Sequence, residues 1–141
     1  YTWLTEDLQW DVDELTIADA TGSVAFTINE DGASRLFILE GEDPSKLERR
    51  ELKTPLGIIS SLEFSPDGQS LGMTFARPDA PPDAYSVDVK SGELTQWTFS
   101  EIGGLNPEKF VVPDRIRVKS FDGREVPAYY YRPKVASGKN P

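Results

Sequence analysis

The sequence predicts an all-β fold in which four-stranded antiparallel blades of the β-propeller type form an incomplete propeller and precede a β-hairpin. Two observations carry this prediction. A pattern of alternating apolar and polar residues recurs after 47 positions, and short turn signals separate its strands. The helical signal is thin, because residues 1–14 and 44–48 each suggest one helical turn and neither has the pattern of a full amphipathic helix. The class is therefore all-β.

The first copy of the pattern covers about residues 15–61. Its predicted strands are residues 15–18, 24–28, 35–39 and 49–53. Asp31-Gly32 favours a tight connection between the second and third strands, because Gly tolerates a positive φ and Asp bonds its local backbone. A polar loop at residues 42–46 leads to the fourth strand, which has the weakest pattern.

The second copy covers about residues 62–108, with predicted strands at residues 62–65, 71–75, 84–89 and 94–98. A turn at residues 66–70, a Pro-rich loop at residues 78–82 and a turn at Ser91-Gly92 connect them. Five apolar positions of the two copies coincide without a gap: Leu15 with Leu62, Ile17 with Phe64, Val24 with Leu71, Phe26 with Met73 and Ile28 with Phe75. A four-stranded unit that recurs in this way is typical of propeller blades.

The last part of the chain has a different charge and predicts a separate module. Residues 113–141 contain seven basic and three acidic residues, whereas acidic residues predominate before them. Gly103-Gly104 and Pro107 give a loop signal just before the change. We expect a module boundary within residues 100–113, so that residues 1–112 form the partial propeller. Residues 113–141 are then a linker and a hairpin, with strands at 116–119 and 126–131.

Two blades cannot close a ring, because propellers use about four to eight. Each blade buries both faces against its neighbours, so two blades alone would leave an apolar face open on each side. We expect the chain to be a segment of a longer polypeptide or to associate with further copies through open faces and strand edges. A β-sandwich whose strands match by accident is the alternative fold.

Composition excludes several classes of function. The chain of 141 residues has a net charge of -9, which argues against a duplex nucleic acid or an anionic membrane as partner. It has no Cys and no His, so neither a Ser-His-Asp nor a Cys-His catalytic group can be assembled from it. No apolar run approaches the length of about 20 residues that a membrane span needs.

Four passages resemble the prolyl oligopeptidase family of serine peptidases, the S9 group that includes acylaminoacyl and dipeptidyl peptidases. They are Trp-Leu-Thr-Glu-Asp at residues 3–7 with Trp10-Asp11; residues 24–27 with Asn-Glu-Asp-Gly at 29–32 and Arg-Leu-Phe at 35–37; Phe-Ser-Pro-Asp-Gly at 64–68 with Ser-Gly-Glu-Leu-Thr at 91–95; and Ser-Phe-Asp-Gly-Arg-Glu-Val-Pro-Ala-Tyr at 120–129 with Tyr-Arg-Pro at 131–133. The last passage is similar to the point at which that family's chain leaves the propeller and begins its α/β-hydrolase domain.

The resemblance implies that the parent protein is a serine peptidase whose propeller limits entry of peptides to the hydrolase domain. The family's His-Gly-Gly loop, nucleophilic serine, Asp and His all come after this hairpin, so we expect the chain to be a non-catalytic fragment. Dipeptides, acylated residues and longer peptides stay open as substrates of the parent, and the compartment stays open with the cytoplasm favoured. The alternative is a TolB-like propeller module for protein interaction, which shares the Ser-Pro-Asp-Gly turn.

No residue is assigned to catalysis, to a cofactor or to a metal. Ser70 lies in a Gly-Gln-Ser-Leu-Gly match to the nucleophile elbow, but the match overlaps a hairpin turn, so we interpret Ser70 as a turn residue. The carboxylates Asp11, Asp13 and Glu14 lack the spacing of a calcium loop and are interpreted as a solvated face. The tryptophans, Trp3, Trp10 and Trp97, are interpreted as packing between blades. The three tyrosines of the last strand, Tyr129 to Tyr131, are interpreted as alternating between its two faces.

Overall fold

The computed structural model describes residues 3–41, 43 and 46–133. Within them the chain forms ten β-strands: β1 Val12–Ile17, β2 Val24–Glu30, β3 Ala33–Glu40, β4 Glu48–Leu52, β5 Ile58–Phe64, β6 Ser70–Arg77, β7 Ala80–Asp88, β8 Leu94–Gln96, β9 Asp114–Lys119 and β10 Glu125–Tyr130. A single 3-10 turn, Pro107–Lys109, interrupts the connection between β8 and β9. Among the described residues, no helix is both long enough and apolar enough to cross a membrane.

The strands form two four-stranded antiparallel sheets and a separate hairpin, as the sequence predicts. The first blade has the order β1-β2-β3-β4, the second blade has the order β5-β6-β7-β8, and β9 pairs with β10. Val12 pairs with Ile28 in the first blade, and Ile59 pairs with Phe75 at the equivalent place in the second. The register of both pairs of strands is interrupted at the same point, so the 47-residue repeat is a repeat of structure as well as of sequence.

Several strand limits differ from the prediction. Strand β7 begins at Ala80, so residues 80–82 of the predicted Pro-rich loop are its first part. Pro81 and Pro82 fit there because the ladder is already irregular between Phe75 and Arg77 of β6, and a proline without an N–H is tolerated at such a bulge. Residues 42, 44 and 45 of the predicted loop and helical turn, and residues 134–141 of the last module, lie outside the described residues.

The main core lies between the two blades. Leu36 and Ile38 of the first blade contact the large side chains that the second blade turns toward it, Leu71, Phe75 and Val87 among them. All five are inaccessible to solvent. Full burial of a side chain of this size stabilises the fold by about 1.5–3 kcal/mol, so the interface between the blades is a main source of stability.

The outer faces of the blades differ from each other. On the first blade, Leu15 and Ile17 of β1 are 59 % and 58 % exposed, while Leu8 packs against the stacked rings of Phe26 and Phe37. The corresponding face of the second blade combines small residues such as Thr74 in β6 with the exposed side chains of Ile58 and Trp97, which are 42 % and 65 % exposed. Both outer faces therefore expose large apolar side chains, Leu15 and Ile17 of β1 on the first blade and Ile58 and Trp97 on the second.

Candidate functional site between the hairpin and the first blade

The hairpin β9–β10 has two chemically different faces. Val118 pairs with Val126 and Ile116 pairs with Ala128, which places these residues and Tyr130 on the face turned away from the blades. Ile116, Val118, Val126 and Tyr130 are 40–50 % exposed there. Arg115, Arg117 and Tyr129 alternate with them and lie on the other face, which contacts the first blade.

The hairpin contacts the turn that joins β2 to β3. Glu30 pairs with Ala33 across a two-residue loop, in which Asp31 has φ 55° and Gly32 has φ 83°. Positive φ at both central residues defines a type I′ turn, for which Asp-Gly is a preferred pair. The N–H of Gly32 donates to Oδ1 of Asn29 at 2.9 Å, which fixes the turn further. The predicted turn at Asp31-Gly32 is confirmed.

Each residue of this turn makes a specific contact with the hairpin. The guanidinium of Arg117 forms an ion pair with the Asp31 carboxylate, whose side chain is only 6 % exposed. The hydroxyl of Tyr129 donates to the carbonyl oxygen of Asp31 at 2.9 Å, and Nη1 of Arg115 donates to the carbonyl of Glu30 at 3.4 Å. The turn therefore presents both a charge and backbone acceptors to the basic face of the hairpin.

Gly32 allows the close approach of the hairpin. A Cβ at this position would lie 3.1 Å from Cε2 of Tyr129, which is tighter than ordinary van der Waals contact. The absence of a side chain therefore permits both the positive φ of the turn and the packing of the tyrosine ring on it.

An ion-pair network fixes the β2–β3 end of the first blade beside this contact. Arg35 pairs with Glu30 on one side and with Glu51 of β4 on the other, with Nη2 of Arg35 and Oε2 of Glu51 separated by 2.9 Å. Hydrogen bonds from Arg35 lower the pKa of Glu51 to about 2, and hydrogen bonds to Glu51 and Glu30 raise the pKa of Arg35. The guanidinium also lies over the ring of Phe37, 5.1 Å from its centroid.

A cleft of about 300 Å³ lies next to the contact, between the hairpin and both blades. On the second blade Arg77 borders it, held by two hydrogen bonds to Asp79 at 2.9 and 2.7 Å. Most of its remaining lining is apolar: Gly32, Leu56, Ile58, Pro78, Pro113 and Tyr131. A cleft of this kind suits recognition of an apolar or aromatic group rather than acid–base chemistry.

The chain leaves the second blade through a polar cluster around Asp83. This buried carboxylate accepts hydrogen bonds from the Thr98 hydroxyl at 2.7 Å, from the backbone N–H and hydroxyl of Ser100 at 3.0 Å each, and from Nε2 of Gln96 at 3.2 Å. The Thr98 hydroxyl, followed by the Ser100 donors, lowers the pKa of Asp83. The segment after β8 is thus fixed as far as Ser100.

Ser70 and the carboxylates of β1, which the sequence analysis considered as candidate site residues, do not lie together in one site. Ser70 is the first residue of β6, and its N–H donates to Oγ of Ser65 at 3.0 Å within the Ser65–Ser70 turn. Asp13 and Glu14 lie where the register of β1 against β2 is interrupted, and Oε2 of Glu14 accepts from the N–H of Leu62 at 3.4 Å. In the described part of the chain, no three acidic side chains converge in a way that would hold a metal ion.

The three tryptophans Trp3, Trp10 and Trp97 are all exposed, Trp10 to 39 %, so their interpretation as residues that pack between these two blades is wrong. Trp3 is 80 % exposed and Trp97 is 65 % exposed, with Nε1 of Trp97 donating to Oγ of Ser86 at 2.8 Å. Tyr129 and Tyr130 do lie on opposite faces of β10, as strand alternation predicts. Sequence reasoning identified the Asp-Gly turn and the basic hairpin but not their contact, which joins residues 86 positions apart.

A scan against protein-family models finds no match. A sequence search of curated proteins finds none either.

Several solved peptidase structures contain a segment with this fold. One is a prolyl endopeptidase from a study of interdomain dynamics in catalysis and specificity. It matches with a TM-score of 0.67 and 21 % sequence identity, and the match covers 92 % of this chain and 18 % of that one. Oligopeptidase B from Trypanosoma brucei matches with a TM-score of 0.63 at 19 % identity, over 86 % of this chain and 18 % of that one. Prolyl oligopeptidase B from Galerina marginata matches with a TM-score of 0.71 at 11 % identity, over 92 % of this chain and 18 % of that one.

The chain thus spans about a fifth of the length of these structures. At these identities the likeness is one of fold. The resemblance to prolyl oligopeptidases that the sequence motifs indicate is confirmed at that level.

Proposed function

We propose that this chain is a propeller segment of a prolyl oligopeptidase-type serine peptidase, together with the first hairpin of its α/β-hydrolase domain. Residues 1–112 belong to the propeller and residues 113–141 to the linker and the hydrolase domain. The chain itself carries no catalytic group. Its role is to help limit the entry of peptides to the active site and to hold the two domains together at their junction.

The observation that carries this proposal is the docking of the hairpin on the β2–β3 turn of the first blade. Arg117 and Tyr129 contact Asp31, so the hairpin lies against one end of the blades rather than continuing either sheet. This is the arrangement expected where a second domain begins beside a propeller. The likeness in fold covers most of the chain and supports the same placement.

The outward face of the hairpin supports the presence of further structure. Ile116, Val118, Val126 and Tyr130 form an exposed apolar surface on a two-stranded sheet, and such a sheet has little stability of its own in water. Further strands and helices of a hydrolase domain would cover this surface. The cleft beside the hairpin then lies at the boundary between the domains, where a propeller that limits peptide access would act.

The reading frame downstream of Pro141 tests the proposal. We expect it to encode a His-Gly-Gly stretch within a few dozen residues, and then the serine, Asp and His of an α/β-hydrolase. A further blade in its place would favour the TolB-like interaction module. As a biochemical check, the 141-residue chain should not hydrolyse a peptide p-nitroanilide, whereas the continuous protein should do so in a manner sensitive to serine reagents. Hydrolysis by the chain alone would contradict the proposal.

A further inference from the structure

We propose that Arg117 and the Asp31-Gly32 turn form a releasable electrostatic latch between the hairpin and the first blade, while Asp83 fixes the start of the segment that connects the hairpin to the second blade. This inference rests on the proposed function, because it takes the hairpin as the first element of the hydrolase domain. The latch then regulates how far that domain separates from the propeller, and with it the entry of peptides.

The latch consists of few contacts, and most of them are polar. The Arg117 side chain is 51 % exposed, so the pair that it forms with Asp31 is accessible to salt. Beside it are a single good hydrogen bond from Tyr129 and the packing of its ring on Gly32. Although the Asp31 carboxylate is covered, the guanidinium that pairs with it is half exposed, so salt screens the pair, and these few contacts can open while both blades stay folded.

The anchor has the opposite character. Asp83 is 5 % exposed and accepts four hydrogen bonds, two of them from Ser100. Removal of these donors would leave a carboxylate without partners in a buried position, which is costly. Because the donors to Asp83 are uncharged hydroxyl and amide groups rather than a cation, added salt weakens this cluster much less than the ion pair of the latch. The connecting segment is therefore free to move only after Ser100.

Between the anchor and the hairpin, the chain contains two adjacent pivots. Gly103 has φ 64° and Gly104 has φ 75°, and a Cβ at either position would meet no atom within 4 Å. No side chain packs at the Cβ positions of these glycines, and the turn that they form is closed by one long hydrogen bond, from the N–H of Leu105 to the carbonyl of Ile102 at 3.3 Å, so rotation about them breaks only this weak contact. Residues 101–113 could extend to roughly 40 Å, which allows the released hairpin to move away while it stays tethered.

Release of the latch also opens the cleft. Gly32, Ile58 and Pro78 line it from the side of the blades, whereas Pro113 and Tyr131 line it from the side of the hairpin. When the hairpin leaves the turn, these two sides separate. The latch and the cleft are thus parts of one movable junction.

Residue-resolved amide hydrogen exchange on the 141-residue chain tests the inference. Asp31→Asn removes the charge but keeps a turn that Asn-Gly forms as well as Asp-Gly, so the β2–β3 amides report on the integrity of the blade. Arg124→Met is the matched control, because Arg124 is another hairpin arginine, 85 % exposed, whose ion pair with Asp122 lies within the hairpin. Each variant is measured in about 0.1 M and about 1 M NaCl, where the screening length falls from roughly 10 Å to roughly 3 Å.

In Asp31→Asn, we expect the amides of β9 and β10 to exchange about fivefold faster, with the β2–β3 amides unchanged. Arg117→Met should have a larger effect, since it leaves the covered Asp31 carboxylate unpaired. Raising the salt should accelerate hairpin exchange in the parent chain and in Arg124→Met but not in Asp31→Asn. The Ser100 amide should keep its protection in both salts.

Equal hairpin exchange in Asp31→Asn, Arg124→Met and the parent would overturn the latch, and a Ser100 amide that exchanges as fast as the hairpin would overturn the anchor. Either result concerns only this junction. The measurement needs no peptidase activity and no knowledge of the sequence after Pro141, so its failure is distinguishable from failure of the proposed function.

Discussion

Ser34 of β3 joins the two blades, and its substitution tests whether the interface between them is the main source of stability. Its hydroxyl accepts a hydrogen bond from the N–H of Ile59 at 3.0 Å, and its own N–H donates to the carbonyl of Gly57 at 2.9 Å. Ser34→Ala removes the first of these bonds and leaves the second in place. The change creates almost no cavity, because the two side chains differ by one oxygen atom.

The cost of Ser34→Ala depends on the burial of the group left behind. Ile59 is 4 % exposed, so its N–H would lose its acceptor in a site that water does not reach. A buried donor without a partner costs about 1–3 kcal/mol. In a protein of this size, a loss of that order lowers the Tm by about 4 °C for each kcal/mol.

Urea unfolding followed by circular dichroism measures the free energy of unfolding of Ser34→Ala and of a control, Ser86→Ala. Ser86 carries the same hydroxyl, but its hydrogen bond with Trp97 lies at the surface, so the control should change stability by no more than about 0.5 kcal/mol. If the two variants unfold at the same urea concentration with the same m-value, the bond between the blades does not contribute as we reason.

Three further predictions concern the turn, the ion-pair network and the open face. Gly32→Ala should destabilise the chain more than Gly92→Ala, since both replace a glycine at positive φ but only the first meets the hairpin; equal urea midpoints would contradict this. Because Arg35 lowers the pKa of Glu51 from 4.5 to about 2, their pair stabilises the fold fully above pH 4.5 and is lost as the pH falls toward 2. In Arg35→Met, the free energy of unfolding should therefore fall by about 1 kcal/mol less between pH 4.5 and 2 than in the parent chain, a value that allows for screening of this partly exposed pair by solvent. An unchanged acid profile would refute the assignment. The chain should self-associate through the exposed side chains of β1, and Ile17→Asp should lower the mass measured by light scattering; a monomeric parent chain would argue against it.

The elements that the sequence predicts well are those set by local patterns. Alternation around Val24 and Leu71 places the second strand of each blade correctly. In β6 one buried face imposes a period of two, whereas β2 is buried on both faces but still alternates large with small side chains. The Asp31-Gly32 turn is set by its own dipeptide, whose backbone preferences need no distant partner. The 47-residue offset also holds in the pairing register, since equivalent apolar positions occupy equivalent places in each blade.

Features that depend on distant contacts could not be predicted in this way. Trp97 is a large aromatic residue of the kind that usually packs in a core, yet it lies on the outer face of the second blade and remains exposed. The extension of β7 through Pro81 depends on a bulge in the facing strand, which the local sequence does not show. The contact of Arg117 with Asp31 depends on the path of the chain between β8 and β9, which fixes the direction in which the hairpin folds back.

The change of charge near residue 113 acquires a structural meaning from this contact. In the sequence, it separates an acidic segment from a basic one and so predicts a boundary between modules. In the structure, the guanidinium of Arg117 in the basic segment pairs with the Asp31 carboxylate of the acidic one, and Arg115 donates to the backbone carbonyl of Glu30. Opposite charges of this kind attract two modules without the large apolar interface that would hold them together permanently. The same asymmetry that separates the modules along the chain therefore gives them a contact that can form and break.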